Sequence, residues 1–170
     1  MRFVAETNEI WVTEPDAQRI EVFSLPETSS KPVHESFIAM SGGPESLTID
    51  HDQGRAYTHL WRGVTVAIRL ADDHSLVARW LNGCEHSRGV ALDERRGFLL
   101  AACAEGRLSV LDSRTGKILG NASSSAGVDI IAYNEKLEHV YLPGQREWHA
   151  GDHRHIFSRE RHCLAHGPDR

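Results

Sequence analysis

The sequence contains few aromatic residues and no long hydrophobic run. Aromatic residues make up 7% of the 170 residues, so a core must be built mainly from Val, Ile, Leu and Ala. No apolar run approaches the roughly 20 residues that cross a bilayer, and Met1–Glu6 lacks the hydrophobic core of a signal peptide. The sequence as written therefore predicts no membrane span and a cytoplasmic product, while a periplasmic or surface location is open for a longer parent protein.

Cysteine is also scarce. The three cysteines are an odd number and form no CxxC pair; they are Cys84, Cys103 and Cys163. This pattern favours neither a disulfide framework nor a zinc knuckle. Small, buried or partly buried thiols are therefore expected.

Short catalytic motifs are missing as well. The sequence contains no GxSxG, HExxH, P-loop or GxGxxG motif, so it offers no recognised nucleophile, metalloprotease or nucleotide-binding signature. We therefore predict no cofactor and no catalytic residue, and we expect that the protein is not an enzyme.

Positive charge is scarce outside the carboxyl-terminal tail. The formal net charge is −5, and 145–170 carries five Arg against two Asp and two Glu, which leaves about −6 on the preceding part. An acidic body argues against a partner that presents a phosphate backbone. The composition therefore predicts no nucleic-acid partner.

The segment 85–120 has the pattern of one complete four-stranded sheet. Two apolar runs, Val90–Leu92 and Phe98–Cys103, are each short enough for a strand and each followed by a polar turn. In a third segment Leu108 and Val110 alternate with polar neighbours, and a fourth strand is predicted to start at Lys117. Gly116 closes the last turn and is predicted to supply the positive φ that a tight hairpin requires.

The same pattern occurs upstream. Leu47–Asp50 aligns with Val90–Asp93, and Gly54 aligns with Gly97, both at a spacing of 43 residues. In the third predicted strand of each unit, Val66 aligns with Leu108 and Ile68 with Val110, at a spacing of 42 residues. The loop before this strand is therefore expected to differ in length by one residue between the two units. The sequence therefore contains an internal repeat.

The length of the repeat identifies a fold class. A period of 41 to 46 residues with four short strands and Gly/Asp turns is typical of β-propeller blades, because one four-stranded blade cannot bury both apolar faces alone. We predict an all-β fold, a partial β-propeller of four-stranded antiparallel blades that forms an open arc rather than a closed ring. Residues 1–144 are assigned to blade repeats near 3–43, 44–86, 87–127 and 128–144, with innermost strands at Leu47–Ile49, Val90–Leu92 and Ile130–Ala132.

The blades resemble the YVTN-type β-propeller repeat family. The resemblance covers about Phe3 to Gly144 and is carried by Glu9–Thr13 with Arg19–Phe23, Arg88–Asp93 with Gly97, and Leu108–Asp112 with Thr115–Lys117. It implies the propeller fold but no single activity, because such propellers include binding scaffolds, lactonases, quinoprotein-like enzymes and surface proteins.

Two features depart from that family. Family rings usually have roughly seven blades, whereas this sequence supplies about three and the start of a fourth. Too few residues precede Glu9 for a convincing innermost strand. We therefore expect a fragment of a longer propeller protein, truncated at both ends.

The carboxyl-terminal tail, Gln145–Arg170, does not continue the blade pattern. It contains five His and five Arg without an alternating apolar run. One hypothesis is a metal site of His149, His153 and His155, with Cys163 as a further ligand. We favour no metal site, because no recognised ligand spacing is present. We expect a poorly ordered end, because this composition buries little apolar surface, and translation out of the original frame is one explanation for the change in composition.

Candidate ligand-binding residues lie in the loops at one mouth of the predicted channel. Those loops include 61–63, 83–88, 104–106 and 123–127. His86 and Arg88 offer a group that titrates near neutral pH and a fixed cation, and His59 and Trp61 are the neighbouring blade's contribution. The alternative is a solvated blade-to-blade loop in which Arg88 pairs with a carboxylate of the next blade.

Three functional hypotheses remain open. The first is a binding module that presents its loops to a protein or a small-molecule ligand. The second is a fragment of a channel-site enzyme, such as a lactonase or a quinoprotein-like oxidoreductase, and the third is a truncated product without independent activity. Self-association through exposed terminal blade faces is also expected, with Val12, Ile20, Val22 and Phe23 on the face of the first blade.

Overall fold

The computed structural model describes residues 1–71 and 73–144, which form strands and turns without a helix. Accordingly, no helix within these residues is long and apolar enough to cross a membrane. The strands form three four-stranded antiparallel sheets and one two-stranded sheet, which confirms the predicted partial β-propeller. Blade 1 contains β1 (Arg2–Val4), β2 (Glu9–Glu14), β3 (Arg19–Ser24) and β4 (Val33–Ala39), and blade 2 contains β5 (Pro44–Asp50), β6 (Arg55–Leu60), β7 (Val64–Arg69) and β8 (Leu76–Leu81). Blade 3 contains β9 (Ser87–Asp93), β10 (Phe98–Cys103), β11 (Arg107–Asp112) and β12 (Ile118–Ser123). The two-stranded sheet pairs β13 (Ala132–Asn134) with β14 (His139–Tyr141).

The first strand of each sheet is the innermost one. β1 contacts β5, β5 contacts β9, and β9 contacts β13, so these strands lie side by side along the inside of the arc. The expected innermost strands at Leu47–Ile49 and Val90–Leu92 lie within β5 and β9. The expectation for Ile130–Ala132 was wrong in part, since Ile130 and Ile131 precede β13, which begins at Ala132.

Blade 1 has an innermost strand, contrary to the expectation from its short beginning. Arg2, Phe3 and Val4 pair with Trp11, Ile10 and Glu9, respectively. A strand of three residues is too short to show period-two alternation in the sequence. Its pairing with β2 satisfies the backbone groups that face β2.

A four-residue turn joins the first two strands of every sheet. The last residue of this turn has a left-handed backbone in all four sheets, with φ of 55°, 60°, 66° and 56° at Asn8, Gly54, Gly97 and Glu138. Glycine adopts this conformation without steric cost, and asparagine tolerates it better than most residues. Because Glu138 occupies the same place, β13 and β14 have the connection that begins a blade.

The third strands of blades 2 and 3 correspond at a spacing of 43 residues, not 42. The turns 61–63 and 104–106 are equally long, so Val66 corresponds to Ser109 and Ile68 to Leu111. The one-residue difference lies instead between the third and fourth strands, at 70–75 against 113–117. Because β7 is buried on both faces, the alternation of polar and apolar residues along its sequence could not be used to predict the register of this strand.

Apolar clusters fill the space between consecutive sheets. One face of blade 1 packs on blade 2, through Trp11, Ile20 and Val22 against Ala56, Val66 and Ile68. The other face of blade 2 packs on blade 3, through Tyr57 and Ala67 against Leu99, Ala101 and Leu111. Blade 3 in turn packs on the two-stranded sheet, through Leu100 and Leu108 against Tyr133 and Val140. Stacking of blades thus supplies the core, as the repeat predicted.

The outer face of blade 1 is the face that does not contact blade 2. Ile20 and Val22 were expected there, but both are fully buried against blade 2. Cross-strand pairing places a different set of apolar side chains on the outer face, namely Phe3, Ile10, Val12, Phe23 and Phe37. Of these, Phe3 and Phe37 are 49% and 54% exposed.

At the base of blades 2 and 3, two buried aspartates end the innermost strands. Asp50 and Asp93 are 43 residues apart and are each 1% exposed. Asp50 accepts hydrogen bonds from the Gln53 main chain at 2.9 Å and from the Gln53 side chain at 2.6 Å. The Gln53 amide also donates to Ser113 Oγ of blade 3 at 2.8 Å, so the turn connects two blades.

Asp93 makes the corresponding contacts with the next sheet. The Asp93 carboxylate accepts hydrogen bonds from the main-chain N–H and the guanidinium of Arg96. It also accepts one from the Tyr133 hydroxyl at 2.6 Å. Burial raises the pKa of Asp93, but these hydrogen bonds and the Arg96 charge outweigh burial and lower the pKa below its ordinary value. The carboxylate is therefore held in its charged form at neutral pH.

Candidate ligand-binding mouth

Main-chain hydrogen bonds join the loops at the end of the blades opposite the base. The Trp61 N–H donates to the Gly42 carbonyl at 3.0 Å, and the Trp61 carbonyl accepts from the Ser87 N–H at 3.1 Å. Trp61 therefore lies between the loop that enters blade 2 and the loop that enters blade 3.

Ala104 repeats this arrangement 43 residues later. Its N–H donates to the His86 carbonyl at 2.9 Å, and its carbonyl accepts from the Gly127 N–H at 2.7 Å. The loops that the sequence assigned to the mouth thus lie next to one another along one end of the arc.

Glu45 brings two of the predicted site residues together. Its Oε2 accepts a hydrogen bond from Trp61 Nε1 at 2.6 Å and one from Arg88 Nη1 at 2.7 Å. The Glu45 and Arg88 side chains are 25% and 33% exposed, so water screens their attraction in part. Glu45 precedes Arg88 by 43 residues, and opposite charges at one repeat position therefore meet between blades 2 and 3.

Gly43 fixes the position of the Trp61 ring. A Cβ at Gly43 would lie 2.6 to 2.8 Å from three ring carbons, and the residue has a φ of 71°. Both the space and the backbone therefore require glycine at this position. The indole consequently lies against the main chain just before β5.

Ser46 adopts a left-handed backbone next to this cluster. Its φ is 63°, a conformation that is costly for a residue with a Cβ. Its hydroxyl accepts from the Val90 N–H at 3.0 Å, and its carbonyl accepts from Thr58 Oγ1 at 2.8 Å. The bond from Val90 connects the bulged start of β5 to β9, and the bond from Thr58 connects it to β6.

His59 lies beneath the mouth instead of in it. The side chain is fully buried, and burial lowers its pKa to about 4, because the opposing effect of the Leu100 backbone is the smaller of the two. Its Nδ1 hydrogen-bonds with Thr65 Oγ1 at 3.0 Å, whereas Nε2 has no hydrogen-bond partner among the described residues. Asn82 continues this buried network, donating to Thr65 at 3.2 Å and to Ser87 at 2.8 Å. His59 is therefore a neutral histidine shielded from solvent.

Glu105 orders the loop that carries His86. Its carboxylate accepts from the Glu85 N–H at 2.8 Å and from the His86 N–H at 3.2 Å. Burial raises the pKa of Glu105, but these main-chain hydrogen bonds and the charge of Arg107 outweigh burial and lower it. Arg107 pairs with Glu105 at 3.2 Å and also donates to the Gly83 carbonyl. The loop is thus fixed through its backbone, while His86 is exposed.

A disulfide joins the same loop to blade 3, in contrast to the thiols expected from the cysteine pattern. Cys84 and Cys103 are bonded, with their Cα atoms 5.2 Å apart and a sequence separation of 19. Cys84 lies in the loop before β9, and Cys103 ends β10. The pairing was hidden in the sequence because it depends on how the loop folds over the second strand of the next blade.

The predicted site residues therefore separate into three environments. Arg88 and Trp61 meet at Glu45, His59 is buried below them, and His86 is exposed in the adjoining loop. Whether they bind a ligand stays a prediction. The alternative metal ligands His149, His153 and His155 lie outside the described residues.

Glu45, Ser46 and Glu105 were not predicted as site residues from the sequence. One signal could have identified Glu45, because the 43-residue repeat aligns it with Arg88 and so pairs opposite charges at one position. No comparable pattern marks Ser46 or Glu105. Their roles depend on a bulge in β5 and on main-chain donors of a neighbouring loop.

No protein-family sequence model matches the chain, and no curated protein sequence matches it. Solved structures match in fold. A candidate 6-phosphogluconolactonase from Bacteroides uniformis superposes with a TM-score of 0.76 at 15% identity, over 94% of this chain and 50% of the other. A candidate 6-phosphogluconolactonase from Bacteroides fragilis has a TM-score of 0.68 at 14% identity, over 84% and 46%.

Hydrazine synthase from Kuenenia stuttgartiensis is also similar, with a TM-score of 0.69 at 13% identity, over 81% of this chain and 40% of the other. The chain thus spans half or less of the length of these three structures. At such identities the likeness concerns the fold alone. It supports an all-β, propeller-like architecture.

Proposed function

We propose that the chain is a β-propeller binding module, with blades of the YVTN type, that holds a protein or small-molecule ligand at its mouth. The observation that carries this proposal is the cluster of Glu45, Trp61 and Arg88, which combines a carboxylate, an indole and a partly exposed guanidinium at the boundary of two blades. Main-chain hydrogen bonds hold the surrounding loops in place. Such a preordered surface loses little conformational freedom when a ligand binds.

The environments of the titratable groups favour binding over catalysis. A general base needs an accessible group that reaches the proton it removes. The Glu45 carboxylate already accepts from Trp61 and Arg88, and His59 is fully buried. These contacts suit a recognition surface better than a reacting centre.

The chemistry of the mouth suggests an anionic ligand. A ligand carboxylate can replace Glu45 as the partner of the Arg88 guanidinium, because arginine matches the planar geometry of a carboxylate. The adjoining indole of Trp61 offers a flat apolar surface to the rest of the ligand. We therefore expect an acidic peptide or an organic acid.

A thermal-shift screen of organic acids and acidic peptides tests this proposal. A binder should raise the midpoint of unfolding of the wild type and of Arg114→Ala, a matched control in a turn at the other end of blade 3. The same binder should give no shift with Arg88→Ala. Equal shifts for all three proteins would remove the mouth cluster from consideration.

A fragment of a channel-site enzyme is the second candidate function. It is favoured by the likeness of the fold to two candidate 6-phosphogluconolactonases, and a quinoprotein-like oxidoreductase belongs to the same class of hypothesis. Hydrolysis of a phosphorylated sugar lactone that disappears in Glu45→Gln would favour this function. Neither hydrolysis nor any binder would favour a truncated product without independent activity.

We also propose that the outer face of blade 1 mediates association. Phe3 and Phe37 are about half exposed there, and blades 2 and 3 bury the corresponding face against the preceding blade. Burial of such a side chain stabilises by roughly 1.5–3 kcal/mol. Sedimentation should show association at micromolar concentration that Phe37→Ser weakens, and a wild-type monomer would contradict the proposal.

A further inference from the structure

Three donor side chains converge where the loop between blades 2 and 3 meets the end of β10. The Sγ atoms of Cys84 and Cys103 and a carboxylate oxygen of Glu105 all lie within 4.8 Å of one another. Cys103 is fully buried and Cys84 nearly so, whereas Glu105 is exposed. The group therefore has two sulfur donors on its inner side and an oxygen donor on its solvent side.

We propose that the reduced form of this group binds one thiophilic divalent cation, with Zn²⁺ as the prime candidate. Two thiolates and one carboxylate are ligands that zinc accepts, and water from the exposed side completes a four-coordinate site. The Cys84–Cys103 disulfide is then the oxidised state, which cannot hold the ion. The site is independent of the ligand-binding role proposed for Arg88 and Trp61.

The required movement is small and falls on the loop. Zinc lies about 2.3 Å from each thiolate, which places two tetrahedral sulfur ligands roughly 3.7 Å apart. Cys103 is held in β10 by its pairing with Arg107 of β11 and Ser87 of β9. Cys84 belongs to a loop between strands, so it can move outward without breaking a sheet.

Hydrogen bonds orient the Glu105 carboxylate, as they orient the ligands of many metal sites. The main-chain amides of Glu85 and His86 donate to its carboxylate and so orient the third ligand. His86 is two residues from Cys84, as Glu105 is two residues from Cys103. The His86 ring is not part of the converging group.

The exchange between the two states balances. A dithiol reductant transfers two electrons and two protons to the Cys84–Cys103 bond, which gives two protein thiols and an oxidised dithiol. Zn²⁺ then displaces two protons as it binds the two sulfurs. A disulfide of higher potential then accepts the two electrons and takes two protons from water to become two thiols, which restores the protein disulfide and releases the ion.

Metal titration of the full chain tests the proposal. Protein reduced with a dithiol, and then freed of it without oxygen, should bind one Zn²⁺ per chain in competition with a chromophoric chelator, whereas oxidised protein should bind none with comparable affinity. Cys84→Ser should abolish this binding. Glu105→Gln, which keeps both sulfurs, should weaken it by about 10-fold or more.

Two further measurements separate this site from other donors. Co²⁺ bound to the reduced wild type should give a thiolate charge-transfer band, which reports sulfur ligation even if Cys84→Ser fails to fold. A variant with His149, His153 and His155 changed to Ala and Cys163 to Ser should bind Zn²⁺ as the wild type does. Loss of binding in that variant, or no binding by the reduced wild type, would overturn the proposal.

Discussion

The base and the mouth of blades 2 and 3 use polar side chains in different ways. At the base, Asp50 and Asp93 occupy the same repeat position, are both buried and accept similar hydrogen bonds. At the mouth, Glu45 and Arg88 share a repeat position but carry opposite charges and are partly exposed. Side chains that recur in each repeat thus maintain the stacking of blades. Side chains that differ between repeats, such as Glu45 and Arg88, give the boundary between blades 2 and 3 its own pair of opposite charges.

The same distinction holds for the aromatic side chains of the two regions. Tyr57 donates from blade 2 to the Ser113 carbonyl of blade 3 at 2.8 Å and is fully buried. Burial raises its pKa to about 12, which keeps the hydroxyl neutral as a hydrogen-bond donor. Trp61 instead lies at the surface of the mouth beside two charged groups. Substitutions should therefore destabilise the fold at the base, whereas at the mouth they should affect the proposed ligand binding more than stability.

The largest effect is expected from Asp93→Ala at the base. The change leaves the Arg96 guanidinium and the Tyr133 hydroxyl without their buried acceptor, and removal of one partner of such a group costs about 3 kcal/mol. Urea unfolding should show this loss of stability. Asp93→Asn keeps an acceptor and should cost less, and a loss below about 1 kcal/mol in Asp93→Ala would contradict the structural role of the base.

The second effect is a loss of stability in mild acid, caused by His59. Its pKa is about 4 in the folded protein, compared with a reference value of 6.5, so the unfolded chain binds more protons between these pH values. Stability should therefore fall as the pH drops from 6.5 to 4, by about 3 kcal/mol in total. Urea unfolding at several pH values measures the slope.

His59→Gln should flatten that slope. Asp93 cannot produce the slope between pH 6.5 and 4. Its pKa is lowered from 3.8 in the folded protein, so the stability it contributes is lost only below pH 3.8. The pKa of His51 is raised, first by a hydrogen bond to Glu6, and this favours the folded state in acid. The His51 side chain is 53% exposed, so its effect is small. An unchanged slope in His59→Gln would show that another group causes the acid dependence.

The third effect compares two glycines with similar backbones. Gly43 and Gly54 have φ of 71° and 60°, but a Cβ at Gly43 would enter the Trp61 ring, whereas one at Gly54 would meet nothing within 4 Å. Gly54→Ala should cost about 1 kcal/mol through backbone strain alone. Gly43→Ala should cost about 2 kcal/mol because the indole must also move. Equal costs in urea unfolding would mean that Gly43 does not position Trp61.

The smallest effect on stability is expected for the charge pair at the mouth. Glu45 and Arg88 are partly exposed, and their coupling energy in a double-mutant cycle with Glu45→Gln and Arg88→Met should be below about 1 kcal/mol. A coupling above about 2 kcal/mol would place the mouth pair in the same structural class as the base.

The fold could be predicted where a residue type has a local structural cause. The turns at Gly54 and Gly97 need a left-handed residue, and Gly116, with a φ of 71°, supplies the predicted positive value in its hairpin. Apolar runs between such turns predicted the strands of blades 2 and 3. β1 was missed because three residues are too few to show alternation.

The candidate site was predicted only in part because its contacts cross between blades. Arg88 and Trp61 were named as candidate ligand-binding residues of mouth loops. Arg88 lies within β9 instead, and its partner Glu45 lies at the start of β5, in the preceding blade and not in the next one. His59 was misplaced because only the packing of β6 shows that this residue points inward. The Cys84–Cys103 pair likewise depends on tertiary structure.

The main-chain bonds of Trp61 and Ala104 make the mouth tolerant of sequence change. Every residue except proline carries the same N–H and carbonyl groups, so the bonds to Gly42, Ser87, His86 and Gly127 do not depend on which side chains the loops bear. Evolution or design can therefore diversify the exposed side chains at Arg62 and His86 while the frame that presents them is retained. In this respect the mouth resembles the hypervariable loops of a binding scaffold, whose specificity can be exchanged without rebuilding the body beneath them.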